Sequence, residues 1–151
     1  MKTVIAVDPG KHHLGVAWFS GRQLDRAALI PTAEMKDFLE TWSGYTDELV
    51  IEKPRIYPHT IRKNDIADLS AKMGEIVGVF QFTGAEVFTY TPSEWKGQLP
   101  KRVTERRVKE TLEKQGLLSL VELPRRKSLA HNIYDAVALG LHHIQKKGRR
   151  K

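Results

Sequence analysis

The chain opens with an unbroken apolar run that ends on a carboxylate. Val4-Ile5-Ala6-Val7 is followed directly by Asp8 and then by a Pro9-Gly10 turn. A continuous apolar run of this kind predicts a central strand covered on both faces of a sheet. An ionised Asp at the end of such a strand is costly to bury unless a cation or a hydrogen-bond donor meets it. Asp before Pro-Gly is also ordinary turn chemistry, so this stretch alone leaves both interpretations of Asp8 open.

The remaining pattern predicts further strands, separated by amphipathic helices. Period-2 or continuous apolar runs predict strands at Leu14–Phe19, Gln23–Ile30, Glu48–Glu52 and Glu86–Tyr90. Helical periodicity predicts four helices. The first is capped by Thr32 and ends at Gly44, and the second is a long helix over Ile61–Phe82. The third has Thr104 as its N-cap and ends at Gly116, and the last spans about Ser128–Lys147. This order predicts one α/β domain over residues 1–151, with a mixed sheet of about five strands, the first three antiparallel, flanked by helices.

Composition narrows the class of protein. The 151 residues suffice for one sizeable core, and the chain has no cysteine, which excludes disulfides and thiolate metal sites. No apolar run approaches the ~20 residues of a membrane span, and the chain does not open with a signal-peptide pattern. We therefore expect a cytoplasmic protein with no membrane association.

The net charge of +7 is unevenly distributed along the chain. Residues 96–127 hold ten Lys and Arg against four Asp and Glu, and residues 146–151 form a basic tail with five more cations. This excess predicts a polyanionic partner, although a solvated basic face would give the same pattern. The candidate phosphate contacts are Lys96, Lys101, Arg102, Arg106, Arg107 and Lys109.

Three carboxylates at the ends of predicted elements form the candidate chemical site. Asp8 and Glu52 each close a buried strand, and Asp135 lies among apolar residues of the last helix. The unbroken apolarity of the two strands and the long helical connection between them predict that they are adjacent and parallel. Their carboxyl ends then lie side by side, where ligands collect in such sheets. Clustered carboxylates need a cation, and oxygen-only ligation suits Mg²⁺ or Mn²⁺. Two such ions, ~3.5–4 Å apart, can promote phosphodiester hydrolysis.

Three motifs carry a resemblance to a known family. Val4–Gly10 with Gly15 five residues on, Val50-Ile51-Glu52-Lys53-Pro54, and Asp135–Leu141 resemble RuvC-type Holliday junction resolvases, of the ribonuclease H-like superfamily. The resemblance spans nearly the whole chain. The small size of the chain and the divergent spacing of its motifs resemble phage-type members of the family. It implies a homodimer that resolves four-way DNA junctions by paired nicks in DNA recombination and repair, with two Mg²⁺ ions per active site and Mn²⁺ as a substitute.

The resemblance also implies the ligands of the metal ions. Asp8 and Glu52 match the first two ligands and Asp135 matches the last. The family has a further Asp or His three residues before that last Asp, where this chain has Asn132, with His131 beside it. Either side chain is within one helical turn of Asp135. Asn is a weaker Mg²⁺ ligand than a carboxylate, so it is either the natural fourth ligand or a substitution that silences the enzyme.

Several polar and aromatic residues leave alternatives open. Ile56 and Tyr57 follow the Glu52 strand and could wedge or stack against an opened base pair, or simply pack in a loop. The pairs His12-His13 and His142-His143 are more typical of solvated surfaces than of ligands, and only His142 could return to the face of Asp135. Two other functions are compatible with the chain: a relative of this fold that trims ribosomal RNA precursors, and a catalytically weak junction-binding protein.

Overall fold

The computed structural model describes residues 1–54, 63–97 and 101–149. Five strands form one sheet in the order β3-β2-β1-β4-β5. Their bounds are β1 Thr3–Pro9, β2 His13–Ser20, β3 Gln23–Pro31, β4 Glu48–Glu52 and β5 Glu86–Tyr90. The pairs β1–β2 and β2–β3 are antiparallel, whereas β1–β4 and β4–β5 are parallel. The predicted mixed sheet with three antiparallel strands followed by parallel ones is confirmed.

Helices cover both faces of the sheet. Their bounds are α1 Met35–Trp42, α2 Lys63–Phe82, α3 Pro92–Trp95, α4 Lys101–Lys114 and α5 Ala130–Gly148. None of the helices within the described ranges is both long and apolar enough to span a bilayer.

Two cores, one on each face, explain the unbroken apolar run of β1. Val4 and Ala6 point into a core that α5 and α4 close, whereas Ile5 and Val7 point into a core that α1 and α2 close. Because successive side chains of a strand point to opposite faces, a strand covered twice has no place for a polar residue before its end. Asp8 is the first polar position of β1 after Thr3, and it continues the row of Val4 and Ala6.

Two predicted helix starts are wrong. Thr32 begins a short 3-10 turn, and α1 starts only at Met35, with no side-chain cap at the preceding Glu34. α4 already starts at Lys101, so Thr104 lies inside its first turn rather than at its N-cap. Thr104 is buried, and within the described part of the chain its hydroxyl has no hydrogen-bond partner. The predicted start of α2 at Ile61 falls outside the described residues.

Candidate active site

Asp8 and Glu52 lie side by side at the carboxyl ends of neighbouring parallel strands. The last register pair between β1 and β4 is Val7 with Ile51, and the two carboxylates are the next residues on each strand. Asp8 is only 7% exposed, and the Glu52 side chain is 16% exposed. The predicted adjacency of the two strands is confirmed.

Helix α5 brings Asp135 to the same side of the sheet. The first turn of α5 crosses β2 at Gly15, which pairs with Asp8 across the antiparallel ladder. Asp135, one turn further along α5, is buried at 5% exposure in a helix whose neighbouring residues Tyr134 and Ala136 are also buried. The fold therefore places all three predicted carboxylates on the α5 side of one end of the sheet.

Lys96 bridges two of these carboxylates. Its Nζ lies 4.0 Å from Glu52 Oε2 and 3.6 Å from Asp135 Oδ2, and its side chain is only 16% exposed. The sequence predicted Lys96 as a phosphate contact on a basic stretch. The structure instead places its ammonium group within the acidic cluster.

Trp95 is a site residue that the sequence analysis did not identify. Its Nε1 donates a hydrogen bond of 2.8 Å to Glu52 Oε2, and its ring lies under the Lys96 ammonium at 4.8 Å. Both residues are positioned by α3, whose N-terminus is closed by a reciprocal capping box between Thr91 and Glu94. The Thr-x-x-Glu spacing directly after β5 is the sequence signal that could have predicted this short helix.

Asn132 and His131 lie in different surroundings. Asn132 Nδ2 would be 3.3 Å from a Cβ placed on Gly10, so its amide lies against the turn that follows Asp8. His131 Nδ1 is hydrogen-bonded to the Ser128 carbonyl oxygen at 2.7 Å. Of the two residues that the sequence left as alternatives, Asn132 is the one packed against the Asp8 turn.

A lysine of α2 fixes that turn from the other side. Lys72 Nζ donates hydrogen bonds to the carbonyl oxygens of Gly10, at 2.9 Å, and Lys11, at 2.8 Å. Burial lowers the pKa of Lys72, and the nearby Asp68 and Glu75 oppose that effect. The sequence gave no sign of this contact, because α2 and the turn are about sixty residues apart.

The predicted phosphate contacts on α4 form an exposed basic face. Arg102, Arg106 and Arg107 are exposed, whereas Lys109 is partly covered and pairs with Glu105 at 3.0 Å. Arg107 also lines a cavity of about 320 Å³, together with Trp95, Lys96 and His142. This cavity therefore extends from Arg107 on α4 to Lys96 and Trp95, which contact carboxylates of the acidic cluster. Ile56, Tyr57 and the side chain of Lys101 lie outside the described residues.

The two histidines late in α5 differ from each other. His142 lines the same cavity and packs edge-on against the Tyr90 ring at 5.2 Å between centroids. Burial lowers its pKa. His143 is 1% exposed and is hydrogen-bonded to Tyr90 and Glu48, so the expectation of a solvated His142-His143 pair is wrong.

The donor set of the cluster suits a hard divalent cation. The carboxylates of Asp8, Glu52 and Asp135 and the amide of Asn132 offer oxygen atoms, which Mg²⁺ and Mn²⁺ prefer. As the described side chains stand, however, no group of three His, Asp or Glu residues is close enough to hold a metal ion. An ion at this position would therefore compete with Lys96 for Glu52 and Asp135.

Comparison with known proteins identifies the fold. No family model and no curated protein matches this sequence. The structure of Thermus thermophilus RuvC, also solved in complex with a Holliday junction substrate, matches with a TM-score of 0.65 and 20% identity over 97% of this chain and 96% of that one. The fowlpox virus Holliday junction resolvase matches with a TM-score of 0.56 and 13% identity, over 95% of this chain and 99% of that one.

A third solved structure matches over nearly the whole of this chain. The yeast mitochondrial Holliday junction resolvase superposes with a TM-score of 0.53 and 12% identity, over 99% of this chain and 81% of that one. The chain therefore has the ribonuclease H-like fold of RuvC-type Holliday junction resolvases.

Proposed function

We propose that this protein is a divalent-metal-dependent endonuclease that resolves four-way or related branched DNA. The observation that carries the proposal is the juxtaposition of Asp8 and Glu52 on adjacent parallel strands, with Asp135 presented by α5 on the same side. Such a cluster is suited to holding cations that activate water and stabilise the leaving oxygen of a phosphodiester. The likeness to resolvases of known structure supports branched DNA as the substrate.

The position of the basic face supports a nucleic-acid substrate. The exposed Arg107 of α4 lines the cavity that also contains Lys96, and Lys96 contacts Glu52 and Asp135, so a phosphate backbone lying on this part of α4 would pass close to the carboxylates. Contacts of Lys and Arg to phosphates supply most of the sequence-independent affinity for DNA. Asp8, Glu52, Asp135 and Asn132 are the residues that would hold the metal. The cytoplasmic location stays a prediction.

A two-fold homodimer is part of the proposal, because a junction presents equivalent strands to a symmetric enzyme. The candidate interface is the outer face of α2. At Gly74 and Gly78, no atom of the described residues lies within 4 Å of the position that a Cβ would take, and Phe82 at the end of the helix is 92% exposed. Light scattering should show a dimer at micromolar concentration, and Gly78→Glu should give a monomer. A monomeric wild type, with and without junction DNA, would contradict this part.

The deciding experiment is a nicking assay with Mg²⁺ on a synthetic four-way junction, a linear duplex and a single-stranded RNA. We expect cleavage of the junction, with Asp135→Asn abolishing cleavage but leaving junction binding intact. Glu40→Gln is the matched control, because Glu40 is an exposed carboxylate on α1, which packs on the opposite face of the sheet. Cleavage of RNA but not of DNA would indicate an RNA-processing enzyme. Binding of the junction without cleavage under any divalent ion would indicate a junction-binding protein.

A further inference from the structure

A cavity of about 320 Å³ lies between α3, α4 and α5. One face of α4 forms a wall of this cavity, with Thr104 and Val108 buried and Arg107 exposed, so the cavity has a buried floor and an open rim. Trp95 also lines it, and the indole of Trp95 donates a hydrogen bond to Glu52. A ligand in the cavity would therefore lie next to the acidic cluster.

The Thr104 hydroxyl has an unused capacity for hydrogen bonding. Thr104 is 6% exposed, and within the described part of the chain its Oγ1 forms no hydrogen bond. Thr111, two turns further along the same wall, has a satisfied hydroxyl, which donates a hydrogen bond of 2.8 Å to the Arg107 carbonyl oxygen. A buried hydroxyl without a partner costs stability. A ligand bound in the cavity would supply the missing partner.

The lining of the cavity suits one flat, polar heterocycle. Val108, Ala138 and Leu141 offer apolar contacts, and Thr104 and His142 offer hydrogen-bonding groups. Burial lowers the pKa of His142, so its neutral ring presents both a donor and an acceptor. Ligand pockets span about 300–1,000 Å³, so this cavity is at the small end of the range. A nucleobase, with an apolar face and an edge of donors and acceptors, has the matching chemistry.

Cations line this cavity and the one beside it. Arg107 is exposed at the rim, and no ion pair ties it to a carboxylate of the described residues. A second cavity, of about 260 Å³, shares His142 and Gln145 with the first and is completed by the exposed Lys146 and Arg149. Each base of a strand has a phosphate on either side, whereas a free nucleotide does not need cations in two places. The arrangement therefore favours a base within a DNA strand.

We propose that the cavity between α3, α4 and α5 binds one unstacked base of a DNA strand, with Thr104 as a hydrogen-bonding partner of the base and Arg107 as a contact to its phosphate. This inference rests on the proposed function and names a way to distinguish a junction from a plain duplex. Removing a base from the stack costs free energy, and the cost is smallest for a base that is already unpaired. Branched DNA therefore yields such a base more readily than a linear duplex does.

A four-way junction that carries a single 2-aminopurine tests the proposal, with EDTA present so that the strands stay intact. The fluorescent base is placed in turn at each position flanking the branch point. We expect the fluorescence of the wild-type complex to rise at one position, because an unstacked 2-aminopurine is no longer quenched by its neighbours. Thr104→Val should reduce this rise and weaken binding of that junction about threefold to tenfold, as expected for one lost hydrogen bond.

An abasic site at the responding position separates recognition of the base from the other contacts. It should weaken binding by the wild type by at least about fivefold, because the contacts of the base are lost. Thr104→Val should weaken binding of the abasic junction no further, because the group that the hydroxyl contacts is missing. Equal losses from Thr104→Val on intact and abasic junctions would contradict the proposal. A wild-type complex in which no position responds would also contradict it.

Thr46→Val is the matched control. Thr46 lies just before β4 and is also buried, at 7% exposure, but its hydroxyl donates a hydrogen bond of 2.7 Å to the Trp42 carbonyl oxygen. Thr46→Val should lower the urea midpoint and leave junction binding unchanged. Thr104→Val should not lower the midpoint, since valine keeps the shape of the side chain and removes an unpaired hydroxyl. If both variants lose the same stability, the Thr104 hydroxyl already has a partner in the free protein and the proposal is wrong.

Titration with free deoxynucleoside monophosphates distinguishes the two sources of a base. If they raise the melting temperature of the wild type but not of Thr104→Val, and no junction position responds, the cavity takes a free nucleotide and the proposal is refuted. If Thr104→Val does not fold, Thr104→Ala replaces it, and Thr104→Ser, which keeps the hydroxyl, should bind as the wild type does. A responding position in a junction that is not cleaved with any divalent ion would leave this inference standing and refute the proposed nuclease. Cleavage of a junction in which no position responds would do the reverse.

Discussion

Gly15 and Asn132 lie in direct backbone contact. A Cβ on Gly15 would be 1.9 Å from the Asn132 carbonyl oxygen and 2.4 Å from its carbonyl carbon, which is closer than any real side chain could come. Because Gly15 pairs with Asp8 across the β1–β2 ladder, this contact sets the distance between α5 and the end of β1. The absence of a side chain at one strand position therefore allows the helix that carries Asp135 to approach Asp8.

Gly15→Ala should destabilise the protein and disturb the metal site at once. The added methyl group has to push the start of α5 away from β2, and overpacking of this kind costs about 1–3 kcal/mol. Urea unfolding at pH 7 measures the loss, and Mn²⁺ titration should show weaker binding. Gly44→Ala is the control, because no atom of the described residues lies within 4 Å of its Cβ position. A Gly15→Ala variant as stable as Gly44→Ala would show that the contact is not tight in solution.

Trp95→Phe should weaken metal binding with little loss of stability. The substitution keeps an aromatic ring under Lys96 but removes the indole N–H that holds Glu52. Loss of a partner that orients a metal ligand typically costs about 10–100-fold in metal affinity. Calorimetric titration with Mn²⁺ measures this effect.

The control for that variant is Trp42→Phe. Trp42 packs against Trp18 on the opposite face of the sheet, at 5.5 Å between ring centroids. The Trp42→Phe substitution should lower the free energy of unfolding and leave the Mn²⁺ affinity unchanged. Equal Mn²⁺ affinities for Trp95→Phe and wild type would mean that Glu52 is oriented without the indole.

A buried polar chain centred on Glu48, at the opposite end of β4 from Glu52, should govern the acid stability. Glu48, 2% exposed, accepts hydrogen bonds from Lys147, Lys2 and His143, and Tyr90 is in turn hydrogen-bonded to His143. Burial alone would raise the pKa of Glu48, but the hydrogen bonds from Lys147, Lys2 and His143 outweigh it and lower the pKa to about 2. Burial lowers the pKa of His143 below its ordinary value, and this outweighs the hydrogen bond to Glu48.

Both shifts predict that stability falls as the pH falls, in two windows. In the unfolded chain His143 takes up a proton near its ordinary pKa of 6.5, whereas in the folded chain it stays neutral to a lower pH. The free energy of unfolding therefore declines as the pH drops below 6.5, by at most about 1.4 kcal/mol per pH unit for one proton. The contribution of Glu48 is complete above its ordinary pKa of 4.5 and is lost between 4.5 and about 2.

Urea unfolding across pH 8 to 3 checks both windows. His143→Gln should flatten the decline just below pH 6.5, and Glu48→Gln should flatten the decline below pH 4.5. His142→Gln should flatten the upper window too, since burial lowers the pKa of His142 as well. A wild-type profile that is flat from pH 7 to pH 5 would contradict the role given to the histidines.

Arg107→Ala should weaken junction binding and its dependence on salt. Arg107 lines the cavity that contains Lys96, and no ion pair ties it to any carboxylate of the described residues. Each lost phosphate contact on duplex arms should reduce the slope of log affinity against log salt by about 0.9. Fluorescence anisotropy over a salt series measures the slope. Lys36→Ala is the control, because Lys36 is exposed on α1, on the other side of the sheet, and it should leave the slope unchanged. Equal slopes for Arg107→Ala and Lys36→Ala would indicate that Arg107 is solvated and contacts no phosphate.

The sequence predicted those site residues whose position depends only on the apolar pattern of the residues next to them. Asp8 and Glu52 each end an apolar run, and an apolar strand followed by a carboxylate is visible without any tertiary information. The pairing of β1 with β4 was predicted from the same runs together with the helical connection between the two strands. Trp95 and Lys96 could not be placed in this way, because their role depends on how α3 turns after β5, and the sequence presents Lys96 only as the first cation of a basic stretch.

The two wrong helix starts have a common physical reason. Thr32 and Thr104 each precede an amphipathic run, as an N-cap does, but the backbone at each position has other constraints. Thr32 directs its hydroxyl toward the Lys11 carbonyl oxygen at 3.4 Å, and Thr104 is buried inside α4. Residue preference for a helix start is weak compared with tertiary packing, so single capping residues predict boundaries poorly.

Asn132 and His131 should respond oppositely to substitution, and this separates the two alternatives that the sequence left open. Asn132→Asp adds a negative charge beside Gly10 and the Asp8 turn, so Mn²⁺ should bind more tightly, by roughly tenfold. His131→Ala removes a ring that is bonded to the Ser128 carbonyl oxygen, so it should leave Mn²⁺ affinity unchanged and lower the free energy of unfolding by about 1 kcal/mol. Calorimetry with Mn²⁺ and urea unfolding measure the two effects on the same preparations. Weaker metal binding in His131→Ala, together with an unaltered Asn132→Asp, would mean that the first turn of α5 presents His131 to the cluster and that Asn132 only packs against the turn.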